Sequence, residues 1–178
     1  MIKIMTDKLQ FLADFRPFMV IFLYCGFLCS AQEKTGAKQE IETMLNAWHA
    51  AATRADYQAY FDLMTSDGVF IGTDAEENWQ NTAFRAYAKP HFDKGKAWSF
   101  IPLERNIYLG ESQDIAWFDE LIDTQMGICR GSGVLTMTDG EWKIKHYVLS
   151  ITVPNENVEA LKSMKYEHDI ELAKKLKE

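Results

Sequence analysis

The residue whose type and position best suit chemistry is His146, which lies in a predicted β-hairpin. Asp139-Gly140 separates two β-rich segments, 128–138 and 141–153, and Asp-Gly in such a setting is a strong signal for a two-residue hairpin turn. In the resulting register His146 pairs with Gly133 and falls on the apolar face. An inward imidazole can act as an acid or a base near neutral pH, although it can equally be a hydrogen-bonded core residue.

Asp119 is the expected partner of His146. It follows Trp117 at strand spacing, which allows both side chains to share one face of a strand. A carboxylate beside an imidazole orients the ring and raises its pKa. The alternative is that Asp119 or Glu120 faces solvent or pairs with Arg105.

Several large aromatic side chains and one arginine are candidates to line a binding pocket. Pockets for small ligands are lined mostly by apolar and aromatic side chains, and arginine can bind a carboxylate or phosphate through two hydrogen bonds. Aromatic residues at helical and strand spacings more often form a packed core. The candidates are Trp48, Tyr60, Trp79, Trp98, Arg105 and Trp117.

Other reactive sites are not indicated by the sequence. Metal-ligand spacing is absent among the four histidines, and there is no phosphate-binding loop or dinucleotide fingerprint. His49 lies beside Trp48 and off the predicted apolar stripe of its helix, so we expect it at the surface. Cys129 is expected to be buried and inert, and Arg130 to lie on the outer face of the hairpin. We therefore predict no metal and no cofactor.

Helices are predicted to precede the strands that carry these residues. From Ile41 to Ala55 apolar residues recur at the i, i+3, i+4, i+7 spacing of an amphipathic helix. Asp56 is expected to cap a second short helix that includes Met64, followed by a turn at 65–68 and a strand at 69–71.

A third helix and a strand meander complete the predicted order. Asp74 and Glu77 resemble a capping box, which predicts a helix ending before Pro90. Strands are predicted over 98–109 and 115–124, then the hairpin, then a C-terminal helix capped by Asn155. Helices followed by strands indicate a single α+β domain.

The first 31 residues are predicted to be a secretory signal peptide. Three basic residues precede an apolar segment of 11 residues, 18–28, which is shorter than the ~20 residues needed to span a bilayer. Ala31 is the small residue expected before the cleavage site. The alternatives are an N-terminal anchor that stays attached, or a lipoprotein acylated at Cys29. We expect the domain at 32–178 to be periplasmic or extracellular, without stable membrane insertion.

Composition bounds the remaining function classes. The chain has 178 residues, of which 47% are hydrophobic, and its formal net charge is −7, values typical of one globular domain. The acidic balance argues against binding of nucleic acid, which needs a basic face. After removal of the signal segment Cys129 is the remaining cysteine, so no internal disulfide can form.

Particular residues add a family resemblance that covers essentially all of 32–178. They are Trp48, Gly72-Thr73-Asp74, Gly95-Lys96-Ala97-Trp98, Ala116-Trp117-Phe118-Asp119-Glu120, Arg130-Gly131-Ser132-Gly133 and Gly140-Glu141-Trp142-Lys143-Ile144-Lys145-His146. Together they resemble the SnoaL-like branch of the nuclear transport factor 2-like superfamily. The resemblance implies a cone-shaped, curved antiparallel sheet packed on N-terminal helices, which encloses an apolar pocket, often in a homodimer.

Three functions remain open at this stage. The first is an exported homodimer that binds a small, largely apolar or aromatic ligand. The second is a cofactor-free acid/base enzyme of isomerase, dehydratase or cyclase type, in which His146 moves a proton and Asp119 orients it. Related domains often carry a second histidine where this chain has Val148, a departure that weighs against this enzyme. The third is a structural or partner-binding module.

Overall fold

The computed structural model describes residues 35–178, so the predicted signal peptide and its cleavage site lie outside the described residues. Within them, helix α1 covers residues 35–53, α2 Tyr57–Asp62, α3 Asn81–Asp93 and α4 Val158–Lys175, the last preceded by a 3-10 turn at Asn155–Asn157. The strands are β1 Met64–Ile71, β2 Asn78–Gln80, β3 Phe100–Leu109, β4 Ile115–Thr124, β5 Gly127–Thr138 and β6 Glu141–Ile151. No helix among residues 35–178 is both long enough and apolar enough to cross a bilayer.

The six strands form one curved, unclosed sheet in the order β2-β1-β6-β5-β4-β3. All neighbouring strands are antiparallel except β1 and β6, which run parallel. The α+β class predicted from the sequence is confirmed, with the difference that the sheet is mixed.

One face of the sheet and the first three helices share a single core. The apolar stripe predicted for α1 is buried, with Ile41, Leu45 and Trp48 fully inaccessible to solvent. Trp48 packs edge-on against Tyr147 of β6, with ring centroids 4.9 Å apart. The predicted cap of α2 is also confirmed, because the Asp56 carboxylate accepts a hydrogen bond of 3.1 Å from the Ala59 amide.

Some element boundaries differ from those predicted. Helix α1 already includes residue 35, and Met64 begins β1 instead of ending α2. Residues 65–68 do not reverse the chain, because they form an irregularity within β1 where its pairing with β6 shifts register. The same residue types occur in turns and in β-bulges, so the sequence does not distinguish the two.

The capping-box pair closes a turn and does not begin a helix. The Glu77 carboxylate accepts a hydrogen bond of 3.3 Å from the Asp74 amide, as the motif predicts, but β2 follows and α3 begins only at Asn81. Pro90 lies inside α3, which continues to Asp93. Pro90 has no N–H group, so the helix lacks one backbone hydrogen bond at its C-terminal end.

A bulge in the β5–β6 hairpin reverses the predicted facing of its far end. The pairs from Thr138↔Glu141 to Leu135↔Ile144 are as predicted, but the next pair is Val134↔His146, so Lys145 is an extra residue on β6. Beyond the bulge Tyr147 is buried and His146 is only half-buried. The prediction that His146 faces the interior is therefore wrong.

On β4 the structure agrees with the alternative reading, in which Glu120 pairs with Arg105, and not with an inward position of Asp119 and Trp117. Phe118 and Glu120 are buried, whereas Trp117 is 47% exposed and therefore lies on the outer face. Asp119 shares that face, where it forms an ion pair of 3.5 Å with Arg130. Asp119 and His146 consequently do not meet in an interior site.

Candidate functional site

A buried carboxylate, Glu120 on β4, is the centre of a polar network in the core. Its side chain is inaccessible to solvent. Oxygen Oε1 accepts hydrogen bonds from His49 Nε2 at 2.8 Å and from the Tyr147 hydroxyl at 3.0 Å. Oxygen Oε2 accepts from Nε and Nη2 of Arg105, at 2.9 Å and 2.7 Å. Four hydrogen bonds thus compensate the loss of hydration of the carboxylate.

A glycine makes room for this network. Gly131 of β5 pairs directly with Glu120. A Cβ atom at Gly131 would lie 2.2 Å from the Tyr147 hydroxyl oxygen and 3.0 Å from Cγ of Glu120. Only a residue without a side chain lets the hydroxyl of Tyr147 reach the carboxylate.

The network is anchored to α1 by a row of polar residues. Nη1 of Arg105 donates to Oε1 of Glu42 and to Oδ1 of Asn46, both at 2.8 Å. Glu42, Asn46 and His49 are spaced i, i+4, i+7, so they lie on one side of the helix. This row fastens α1 to β3 and β4.

The charge of the network is set by opposing effects. Burial raises the pKa of Glu120, but the hydrogen bond and charge of His49 and the charge and hydrogen bonds of Arg105 outweigh it, and the pKa is lowered from its ordinary value. Burial, together with the neighbouring Glu120, raises the pKa of Tyr147 well above its ordinary value. At neutral pH Glu120 is therefore ionised and Tyr147 donates a proton to it in the hydrogen bond.

His49 has one ring nitrogen in the network and one outside it. An ionised carboxylate can only accept hydrogen bonds, so Nε2 of His49 carries the proton in its bond to Glu120. Nδ1 is buried and has no hydrogen-bond partner among the described residues. The ring packs against Trp48 and Phe100, with centroids 5.2 Å and 5.6 Å away.

Three further polar atoms in this aromatic region are buried without a well-aligned partner among the described residues: Trp48 Nε1, Trp98 Nε1 and the Tyr60 hydroxyl. The Tyr60 ring contacts the other two, with centroids 4.9 Å from Trp48 and 5.5 Å from Trp98. Burial raises the pKa of Tyr60 well above its ordinary value, and the nearby Trp98 indole opposes this only in part. Buried polar atoms without partners are uncommon in proteins. Their concentration beside His49 therefore marks this region as part of the candidate site.

A cavity of about 220 Å³ adjoins the aromatic region. It lies between the end of β1, β2, α3, the segment before β3 and the β4–β5 turn. Half of its lining residues are aromatic, and Thr73 and Tyr87 are lining residues exposed to solvent. The lining residues are Phe70, Gly72, Thr73, Glu77, Trp79, Phe84, Tyr87, Trp98, Phe100, Gln125, Met126 and Leu149.

The structure distributes the predicted ligand-binding residues over three environments. Trp79 and Trp98 line the cavity, Trp48 and Tyr60 are buried beside it, and Arg105 belongs to the Glu120 network. Trp117 lies on the outer face and lines none of this region.

The central residues of the network were not predicted as site residues from the sequence, although pairing of Glu120 with Arg105 was among the alternatives. His49 was predicted at the surface, yet it is 2% exposed, and Glu120 and Tyr147 were not proposed as site residues. The polar row of Glu42, Asn46 and His49 was the available signal, since it runs alongside the apolar stripe of the same helix. In the described part of the chain no three histidine, cysteine or acidic side chains come together as metal ligands.

Comparison with known proteins places this geometry in a family. The family model of the SnoaL-like domain matches residues 41–154. No curated protein sequence matches the chain.

Solved structures of similar fold share little sequence with the chain. A nuclear transport factor 2-like protein of unknown function from Pseudomonas putida has a TM-score of 0.58 and 17% identity, over 69% of this chain and 92% of that one. A similar protein from Cytophaga hutchinsonii has a TM-score of 0.55 and 18% identity, over 65% and 98%. A proposed dehydratase of the same fold family from Streptomyces avermitilis has a TM-score of 0.56 and 12% identity, over 65% and 96%. At these identities the likeness concerns the fold alone.

Proposed function

The chain belongs to the SnoaL-like family, and from this premise we propose that it binds a small, largely apolar ligand in the cavity between β2, α3 and the β4–β5 turn. The observation that carries the proposal is the cavity itself, about 220 Å³ in volume and lined by six aromatic residues among twelve. Concave, mostly apolar sites with few polar groups are the usual setting for small ligands.

The surrounding core supports this proposal. Aromatic rings on the inner side of the cavity are closely packed, as in the stack of Phe70 on Phe84 with centroids 4.2 Å apart. Protein interiors are close-packed with few voids larger than a water molecule. The cavity is therefore a space that the side chains of the protein leave open. It is reached from solvent at Thr73, as an exchangeable ligand requires.

Native mass spectrometry of the purified protein tests the proposal. We expect an additional discrete mass on the wild-type protein, lost in the variant Thr73→Trp, which fills the exposed end of the cavity. Thr82→Trp is the matched control, because Thr82 is exposed on α3 and does not line the cavity. An additional mass that survives Thr73→Trp would place the ligand elsewhere.

A second candidate function is cofactor-free acid/base catalysis by His49 oriented by Glu120. The observation that favours it is the buried, unpartnered Nδ1 of His49, which carries a lone pair whenever the imidazole is neutral and Nε2 donates to Glu120. Phe100 contacts the His49 ring and also lines the cavity. This arrangement could remove a proton in an isomerase or dehydratase type of reaction.

Deuterium exchange into a panel of cyclic ketones in D2O tests the second candidate. We expect exchange that depends on His49. His49→Gln should abolish the exchange, whereas His146→Gln should leave it unchanged. Equal exchange by both variants would rule out His49 as the base.

We also propose that two copies associate through the outer face of the sheet. Tyr108 and Trp117 are 44% and 47% exposed there and stack with ring centroids 5.8 Å apart, and the exposed Ile115 extends the apolar surface along β4. Light scattering should give a dimer for the wild type and a monomer for Trp117→Lys. Tyr166→Lys, on the exposed surface of α4, is the control that should remain dimeric.

The proposed location is outside the cytoplasm, with residues 1–31 as a cleaved signal peptide. N-terminal sequencing of the protein recovered from its producing cells tests this directly. A mature chain that begins at Gln32 is expected, whereas an acylated Cys29 at the N-terminus would indicate a membrane-anchored lipoprotein.

A further inference from the structure

The cavity combines aromatic walls with an unpaired carboxylate. Six of its lining residues are aromatic: Phe70, Trp79, Phe84, Tyr87, Trp98 and Phe100. Among the described residues that line it, Glu77 alone is charged. This combination is more specific than a general apolar pocket.

The side chain of Glu77 is held toward the cavity by its own turn. Its Oε2 accepts from the Asp74 amide at 3.3 Å. The carboxylate also lies against Gly72, where an added Cβ atom would be 2.1 Å from Oε2. Gly72 lines the cavity as well, so the absence of a side chain there lets the carboxylate fold against the cavity wall.

No cation of the described chain neutralises Glu77. The neighbouring Glu76 forms an ion pair with Lys175 at 2.8 Å, but Glu77 takes part in none of the ion pairs within residues 35–178. His91 contacts the ring of the lining residue Tyr87, with centroids 5.4 Å apart. The site therefore offers negative charge without a counter-ion from the chain.

We propose that the cavity recognises an organic cation whose charged end is a fully alkylated ammonium group. This inference rests on the proposed function, that the cavity binds a ligand. Aromatic faces attract cations through the ring quadrupole, and such cages are a known way to bind quaternary ammonium groups. The formal net charge of −7 on the chain adds a long-range attraction for cations.

The largely apolar lining favours an alkylated over a primary ammonium group. A primary ammonium carries three N–H donors, and among the described residues that line the cavity side-chain oxygen acceptors are confined to Thr73, Glu77, Tyr87 and Gln125, while the other eight offer none. A quaternary ammonium has no N–H group and needs only aromatic faces and a nearby negative charge. Its methyl groups also match the apolar lining.

Isothermal titration calorimetry with a matched pair of probes tests the proposal on the purified protein. The probes are choline and its neutral isostere, in which a quaternary carbon replaces the nitrogen. We expect choline to bind roughly tenfold or more tightly than the isostere, a ratio within the range of a desolvated cation–aromatic contact. Added salt should weaken the binding of choline.

Two pairs of variants locate the binding. Glu77→Gln and Trp79→Leu should each weaken choline about tenfold. Glu76→Gln removes the neighbouring carboxylate that already has a partner, and Tyr166→Leu removes an exposed aromatic residue of α4 that does not line the cavity. Both controls should bind choline within about twofold of the wild type. Thermal unfolding of all four variants confirms that they are folded.

The outcomes separate this inference from the proposed function. Equal binding of choline and the isostere would overturn the cationic inference and support an apolar ligand site. Choline binding that is unaffected by Glu77→Gln and Trp79→Leu would also overturn it. If neither probe binds, the cationic inference is rejected, and the proposed function is then decided by the native mass spectrometry of the wild type and Thr73→Trp.

Discussion

Replacing Glu120 by glutamine should destabilise the protein strongly while changing the shape of the side chain very little. The carboxylate accepts two hydrogen bonds on each oxygen, from three side chains. The amide that replaces it keeps one acceptor oxygen, which can serve Arg105, and turns its NH2 group toward His49 and Tyr147, where the Tyr147 hydroxyl has to rotate in order to accept from it. The guanidinium of Arg105 then loses its buried negative partner.

The magnitude follows from what remains around Arg105. Its side chain is 3% exposed, and its other ionic partner, Glu42, is 38% exposed. Breaking a buried ion pair by removing one partner costs about 3–5 kcal/mol. For a domain of this size that corresponds to a fall in Tm of about 6–20 °C. Glu42→Gln removes a more exposed partner of the same arginine and should cost about 1 kcal/mol or less.

Urea denaturation followed by far-UV circular dichroism measures these free energies. A double-mutant cycle with Arg105→Met should give a coupling energy of about 2–3 kcal/mol between Arg105 and Glu120. A loss below about 1 kcal/mol for Glu120→Gln, or additive effects in the cycle, would refute the reasoning. It would mean that the pair contributes no more than an exposed one.

Four further predictions concern other parts of the structure. Because the pKa of Glu120 is lower in the folded chain than its ordinary value, its contribution to stability is complete above about pH 4.3 and is lost as the pH falls through the folded pKa; acid titration of the free energy of unfolding should be flatter for Glu120→Gln than for the wild type. Gly131→Ala should cost about 1–3 kcal/mol in urea denaturation, because its Cβ would collide with the Tyr147 hydroxyl, whereas Gly36→Ala in α1 meets no atom within 4 Å and should be neutral or stabilising. Asp56→Ala should lower stability by about 1 kcal/mol in the same assay, through loss of the N-cap of α2. His146→Ala, on the outer face, should change stability by less than about 0.5 kcal/mol, and a larger loss would contradict its placement there.

The sequence predicted the order and type of most elements because their signals are local. The apolar stripe of α1, the Asp56 cap and the Asp139-Gly140 turn each depend on a few consecutive residues. The facing of strands depended on register, which is less secure. One extra residue at Lys145 moves Tyr147 inward and His146 outward. The sequence pattern does not reveal this bulge, because a histidine and a tyrosine are both acceptable on the apolar face.

The candidate site was less predictable for a related reason. A buried glutamate is improbable from residue type alone, so Asp119 and Glu120 could not be ranked by their own chemistry. Glu120 is stabilised inside by His49 and Arg105, which are 71 and 15 residues away in the sequence. The helical spacing of Glu42, Asn46 and His49 shows a polar row on α1 in the sequence. The row could be matched to Glu120 only if the facing of β4 were already known.

The parallel pairing of β1 with β6 has a consequence for the kinetics of folding. Strands β3 to β6 pair with neighbours in the sequence, so their hairpins can form early, whereas Val69 must find His146 across most of the domain. Contacts of such separation carry a large loop-closure cost and slow the folding reaction. The Glu120 network also joins distant parts of the chain, since His49 of α1 contacts Glu120 of β4. We therefore expect the candidate site to be assembled in the final stage of folding, so that a ligand bound there selects chains that have folded completely.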